Sequence, residues 1–241
     1  MNPDLRSELA PSGTLRAAIN LANFLLVTGR SPGGDPEGVA PDMAAAIAKR
    51  LDVPIAYVPY ATPSELADAA TDDMWDIGLI GAEPARAETI AFTAAYTEIE
   101  ATYLVPAGSP LGRIEDVDRE GVRIAVAGGS AYDLYLSRNL ERAELVRASG
   151  LDGSFDLFAE QKLDALAGLR PRLLSDVGRL PGARILDGRF TAVQQAVGTP
   201  RPRERGAAFL AEFVEEAKAS GLVQRLIDRH GVRGLSVAGA A

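Results

Sequence analysis

Trp75-Asp76-Ile77-Gly78-Leu79-Ile80-Gly81-Ala82-Glu83-Pro84-Ala85-Arg86-Ala87-Glu88-Thr89-Ile90-Ala91-Phe92-Thr93 is the stretch on which the fold turns. Residues 76–80 form a near-continuous apolar run, as expected of a strand in a parallel sheet covered on both faces. Arg86 follows shortly after the carboxyl end of that strand, and open α/β sheets bind their ligands along that edge. A guanidinium forks onto carboxylates bidentately, each charge-assisted hydrogen bond contributing roughly 1.5–3 kcal/mol. Taken alone, such an arginine is ordinarily a solvated charge or a local partner of Glu83 or Glu88.

Working outward, 15–20 reads as a first strand and the Gly/Pro-rich segment 29–38 as a loop. An Ala-rich helix over 44–51 and a strand over 55–59 follow. Thr62-Pro63-Ser64-Glu65 has the capping-box pattern with proline at the first helical position, opening a helix to about residue 70. On the other side, 102–105 and 123–127 read as strands. Gly128-Gly129-Ser130 turns into a helix over 131–140, and segments at 144–147, 155–161, 163–167 and 183–186 continue the alternation. Apolar positions Phe209, Leu210, Phe213, Val214 and Ala217, then Leu222, Leu226 and Ile227, mark two closing helices. Two successive α/β units predict two lobes.

Composition excludes several classes. A net charge of −8 argues against binding nucleic acid or an anionic membrane. There is no cysteine and a single histidine, His230, so thiolate chemistry, zinc knuckles and His-rich metal sites are not expected. Dinucleotide, nucleoside-triphosphate and zinc-protease motifs are absent, and Tyr132 stands where a nucleophile elbow needs its last glycine. No cofactor or metal is expected. The polar, mixed-charge start of the chain does not read as a leader, and no run approaches a membrane span. The Gly128-Gly129-Ser130 turn offers backbone N–H groups and a hydroxyl to an anion, or is simply a capped turn.

From about Gly13 to Gly231 the chain resembles the family 3 extracellular solute-binding proteins, the amino-acid type that serves ABC importers. The marks are Gly13-Thr14-Leu15-Arg16, Gly38-Val39 with Asp42, Trp75-Asp76-Ile77, Pro84-Ala85-Arg86-Ala87, Ile90 to Tyr96, and the turn after Arg123. The resemblance implies an α/β, periplasmic-binding-protein-like type II fold. Its first lobe is 1–100 with 194–241 returning to it, and its second lobe is 101–193. Two hinge strands cross near 100–103 and 191–195, with a ligand cleft between the lobes.

It also implies that Arg86 grips the carboxylate of the ligand. Gly129, Ser130 and Ala131 meet it from the second lobe, and Asn20, Asn23 and Phe24 line the side-chain pocket, although Phe24 is equally readable as core. Ala82 and Glu83 replace the usual Ser/Thr, and the segment from Asp76 to Arg86 is about two residues short. The acid that normally pairs with an α-ammonium is missing, Leu169 or Arg170 taking its place. Arg170 there would attract a second carboxylate or remain on the surface. Glu83 is a replacement acid or a cap of the short helix. Asp42 is a helix-start residue before a ligand contact, and Tyr96 and Tyr132 are ligand-stacking or wall residues.

The expected function is capture of a small carboxylate-bearing solute, without catalysis, for presentation to ABC transporter membrane subunits. The protein would be a monomer that binds no nucleic acid and inserts in no membrane. The resemblance implies a periplasmic location; a leaderless chain implies a cytoplasmic one and a ligand sensor. The alternatives are a dehydratase-like enzyme on the same cleft, with Glu83 or Glu160 as its acid, and a pure interaction protein.

Overall fold

The computed structural model of the chain describes residues 3–241; Met1 and Asn2, which open the segment read as no leader, lie outside the described residues. The chain runs α1 (Pro3–Leu9), β1 (Leu15–Asn20), a hairpin of β2 (Gly29–Arg30) and β3 (Pro36–Glu37), α2 (Val39–Leu51), β4 (Ile55–Tyr60), α3 (Pro63–Asp68), β5 (Ile77–Gly81) and the long β6 (Ile90–Val105). It continues through β7 (Arg123–Ala127), α4 (Ala131–Asn139), β8 (Glu144–Ala148), α5 (Gly150–Glu160), β9 (Ala165–Leu169), α6 (Arg170–Asp176), β10 (Arg184–Ile185) and β11 (Thr191–Pro200). The last elements are α7 (Glu204–Ala219), α8 (Leu222–Arg229) and β12 (Ser236–Val237). Two compact units result, Met1–Glu98 with Gln194–Ala241, and Ile99–Val193.

In the first unit β1 pairs parallel with β4 and β5, and β11 pairs antiparallel with β5. Successive side chains point to opposite faces. Leu15, Ala17, Ile19, Ile77, Leu79 and Val197 accordingly pack with α2, α7 and α8 on one face. Ala18 and Ile80 join Leu66 and Trp75 on the other. This double cover explains why β5 is apolar throughout and buried at every position. In the second unit β9 pairs antiparallel with β6 and parallel with β7, which pairs parallel with β8. Phe155 and Phe158 of α5 close its core over Leu104, Ala125 and Leu166. The observed class is the α/β class read from the sequence.

Four differences have local causes. The segment 29–38 holds the β2–β3 hairpin, whose two-residue strands are too short for any periodic signal. Helix α2 begins at Val39, five residues before the Ala-rich run, because Gly38 turns the chain at φ 147. A Cβ there would lie 2.2 Å from the Leu26 carbonyl oxygen, so the approach needs a bare Cα. Helix α6 starts directly at the end of β9, with Pro171 in its first turn, and is too short to show a repeat. Helix α1 and strand β12 were not anticipated, being seven and two residues long.

The amino-terminal edge of the first unit's sheet is held by Asp76, whose side chain is fully buried. The Arg16 backbone N–H donates to it (2.8 Å), as do Arg16 Nε (3.1 Å) and Nη2 (2.9 Å) and Arg203 Nη1 (2.7 Å). In the second unit Asp118 accepts backbone N–H bonds from Glu141 (3.1 Å), Arg142 (2.8 Å) and Ala143 (3.0 Å). Burial opposes its charge, but these three donors and the Arg142 charge outweigh it and hold the pKa below the ordinary value. A lowered native pKa is a stabilisation present above the unfolded-state value and lost as pH falls through the native one. Asp118→Asn, which cannot titrate, is expected to flatten the loss of stability between about pH 5 and about pH 3 relative to the parent. Urea midpoints measured across that window check this, and parallel curves contradict it.

Candidate functional site

The candidate site starts at the carboxyl edge of the first unit's sheet, where the parallel strands end together: Asn20 pairs with Tyr60, and Ile19 with Leu79. Past that edge Ala82 N–H donates to the Gln194 carbonyl (2.7 Å), which continues the β5–β11 ladder. Bonding direction alternates along a strand, so the Gly81 carbonyl points to the β1 side instead. There it accepts a hydrogen bond from Arg86 Nη1 (2.7 Å). Arg86 opens a single turn of 3₁₀ helix, Arg86–Glu88. The guanidinium is thus drawn back over the strand ends, and Arg86 is only 6% exposed.

Its electrostatics differ from those of the other perturbed arginines. Arg16, hydrogen-bonded chiefly to Asp76, has its pKa raised. Arg172 is also raised, because Asp176 and Asp152 together outweigh its burial. For Arg86 burial dominates and pulls the pKa down to about 10, with the charges of Glu83 and Asp68 compensating only in part. The group stays protonated at neutral pH as a largely desolvated cation. A carboxylate delivered to it would find a stronger interaction than at an exposed arginine.

Around it, Asn20 Oδ1 accepts from Ala22 N–H (3.1 Å) and Asn23 Oδ1 from Leu25 N–H (3.2 Å), so both amides shape the loop leaving β1. Phe24 on that loop is 38% exposed, which removes its reading as core. Ala82 contributes its backbone to the sheet edge. Glu83 does not cap the Arg86 turn: the residue at that cap is Ala85, with no side-chain bond. Glu83 offers a backbone acceptor to Ala87 N–H (2.9 Å) and a countercharge to Arg86. Asp42 lies in the first turn of α2 and meets His230 Nε2 (2.9 Å) and Arg229 Nη1 (3.3 Å), while Tyr96 is sealed in the core. A separate cavity of about 450 Å³, lined by Thr71, Asp73, Glu88, Thr89, Arg201 and Arg203 among others, does not include Arg86.

In the second unit Ser130 is the N-cap of α4, its Oγ accepting from Asp133 N–H (3.1 Å). Gly129, at φ 73, donates its N–H to Asp133 Oδ2 (2.8 Å), and Arg147 Nε holds that carboxylate from behind at 3.0 and 3.1 Å. An internal carboxylate therefore takes the Gly129 donor that was expected to serve a ligand. The Ser130-x-x-Asp133 spacing was the available signal for it. Ala131 and Tyr132 open the helix, and among the described residues nothing in the chain accepts from their backbone N–H groups. The Ser130 N–H itself donates to the Ala127 carbonyl (3.3 Å), so the turn's open backbone donors are those of Ala131 and Tyr132 and not that of Ser130.

Arg170 does not present an unmet charge. Its Nε donates to Glu100 (2.8 Å) and its Nη2 to the Gly188 carbonyl, and Arg189 adds a looser contact to Glu100 (3.7 Å). The case for a second ligand carboxylate at this position falls away. Tyr132 is buried, and Glu160 is exposed at the end of α5.

Residues 25–232 match the family model of the bacterial extracellular solute-binding proteins, family 3. Among solved structures, a variant of ArgBP from T. maritima superposes with a TM-score of 0.75 at 19% identity, over 95% of this chain and 100% of that one. The ancestral amino acid-binding protein AncCDT-1, a precursor of cyclohexadienyl dehydratase, gives 0.73 at 20% identity over 92% and 97%. A putative binding component of an ABC transporter from Wolinella succinogenes, complexed with lysine, gives 0.73 at 17% identity over 90% and 95%. These likenesses establish the two-lobed type II fold. No match is found among curated proteins. Among the described residues no helix is long and apolar enough to cross a membrane.

Proposed function

Because this chain belongs to the bacterial extracellular solute-binding proteins of family 3, we propose that it captures a small carboxylate-bearing solute, an amino acid or a related organic acid, for an ABC-type importer outside the inner membrane. Arg86 is the carboxylate anchor. The observation that carries this reading is a guanidinium buried at the carboxyl edge of the sheet, aimed by Gly81, with its pKa lowered by that burial. Phe24 presents an aromatic face to the solute's side chain. The lysine-complexed neighbour from W. succinogenes and the arginine-bound forms of ArgBP support an amino acid as the solute class.

The reading is of a binding protein without catalysis. A dehydratase on this scaffold needs a carboxylic acid kept protonated by burial, and the exposure of Glu160 leaves it unsuited to that role.

A thermal-shift series with the twenty L-amino acids and their decarboxylated amines tests the proposal. A ligand present at 100 times its Kd stabilises the native state by about 2.7 kcal/mol, enough to raise Tm by several degrees. At least one carboxylate is expected to do so while its amine counterpart does not. Equal shifts by the amines would overturn the anchor.

A further inference from the structure

We propose that Arg201 is a positioning residue of this site: its Nε–H holds the Ala87 carbonyl and thereby fixes the turn from which Arg86 presents its guanidinium. The inference rests on the functional reading above and extends it from the anchor to the residue that steadies it.

The turn that carries Arg86 has little of its own to hold it. It is three residues of 3₁₀ helix, Arg86–Glu88, and the residue at its N-cap, Ala85, makes no side-chain bond. Runs this short close few hydrogen bonds, and 3₁₀ geometry makes those poor. Glu88 and Thr89 also line the cavity of about 450 Å³, so open space rather than packed side chains borders the turn on that side.

Arg201 lines the same cavity and ties the turn to the end of β11 twice. Its backbone N–H donates to the Thr89 carbonyl (3.0 Å) and its Nε to the Ala87 carbonyl (2.6 Å). The second bond is charge-assisted, and its acceptor belongs to the residue next to Arg86. Among the described residues Arg201 forms no ion pair, so the Ala87 carbonyl is the contact that orients its side chain. The donor is itself held. Pro200 and Pro202 flank Arg201 and restrict the backbone on both sides. The Arg203 N–H closes a turn on the Pro200 carbonyl (3.0 Å), and the Arg203 guanidinium is bound to Asp73 (2.8 Å) and to the buried Asp76 (2.7 Å). A continuous series of contacts, all within the first unit, thus runs from Asp76 to the Arg86 turn. Without the Ala87 bond the turn would have to be ordered whenever a solute binds, and that ordering subtracts from affinity.

Two substitutions separate the donor from the charge. Arg201→Gln places an amide N–H as many bonds from Cα as Nε and removes the charge; Arg201→Met places a methyl group there and removes both. Each is compared with the parent and with Arg86→Met by calorimetry, using the tightest-binding of the twenty L-amino acids. Hydrogen exchange of the Thr89 amide, which donates to the Arg86 carbonyl (3.3 Å), reports on the turn in the ligand-free protein. Arg201→Met is expected to weaken binding about tenfold and to speed Thr89 exchange, and Arg201→Gln to restore most of both. Affinity unchanged by Arg201→Met beside a large loss in Arg86→Met would overturn the positioning role and leave the functional reading standing. Arg201→Gln binding as weakly as Arg201→Met would also overturn it, by showing that Arg201 acts through its charge. Binding untouched by Arg86→Met would sink the functional reading itself.

Discussion

Arg86→Met is expected to weaken binding of the amino acid or organic acid that the protein takes up by about a hundredfold to ten-thousandfold. The figure follows from losing two charge-assisted hydrogen bonds of about 1.5–3 kcal/mol each, at about 1.4 kcal/mol per factor of ten. Methionine is apolar and of similar length, and removing a desolvated cation relieves the burial that lowers the pKa of Arg86. The fold is therefore expected to persist, and the loss to show as affinity alone. Arg86→Lys keeps the charge but not the planar fork, so only part of the affinity should return. Isothermal titration of the three proteins decides the matter. Equal affinities would remove Arg86 from the site, and full recovery with lysine would reduce its role to that of a point charge.

Asp76→Ala is expected to have the largest effect on stability. Its carboxylate is fully buried and receives the Arg16 backbone, the Arg16 side chain and Arg203. Removing one partner of such a network leaves the others uncompensated, at a typical cost of about 3–5 kcal/mol. Arg16 and Arg203 retain side-chain exposures of 26% and 14%, so both cations recover some hydration and the lower end of that range applies. The network lies at the amino-terminal edge of the sheet, the end away from Arg86. Asp76→Ala should therefore lower the denaturation midpoint without removing any group that touches the solute. A loss below about 1 kcal/mol in guanidinium unfolding would show that the two arginines are satisfied elsewhere.

Features set by neighbours in the chain were legible in the sequence. The apolar run of β5, the Thr62–Glu65 capping box and the Ser130 cap each depend on residues a few positions apart, and each is present. So is the location of Arg86 just past a buried strand. Features set by distant partners were not legible. Asp76 meets Arg203 across 127 positions and Arg170 meets Glu100 across 70, so neither pairing leaves a local pattern. Nor does the sequence tell which glutamine of Gln194-Gln195 faces inward, since strand alternation fixes only that the two face opposite ways. The register against Gly81 decides it. Asp133 lay between these extremes: its spacing from Ser130 was visible, but its capture of the Gly129 N–H depends on the left-handed turn at Gly129.

The measurement that bears most directly on the central claim is a crystal structure of the protein with the solute it retains on purification. A carboxylate of that solute is predicted to lie on the Arg86 guanidinium, with N–O distances of about 2.7–2.9 Å as charge-assisted pairs show. A bound solute without a carboxylate, or a carboxylate seated away from Arg86, would contradict the account.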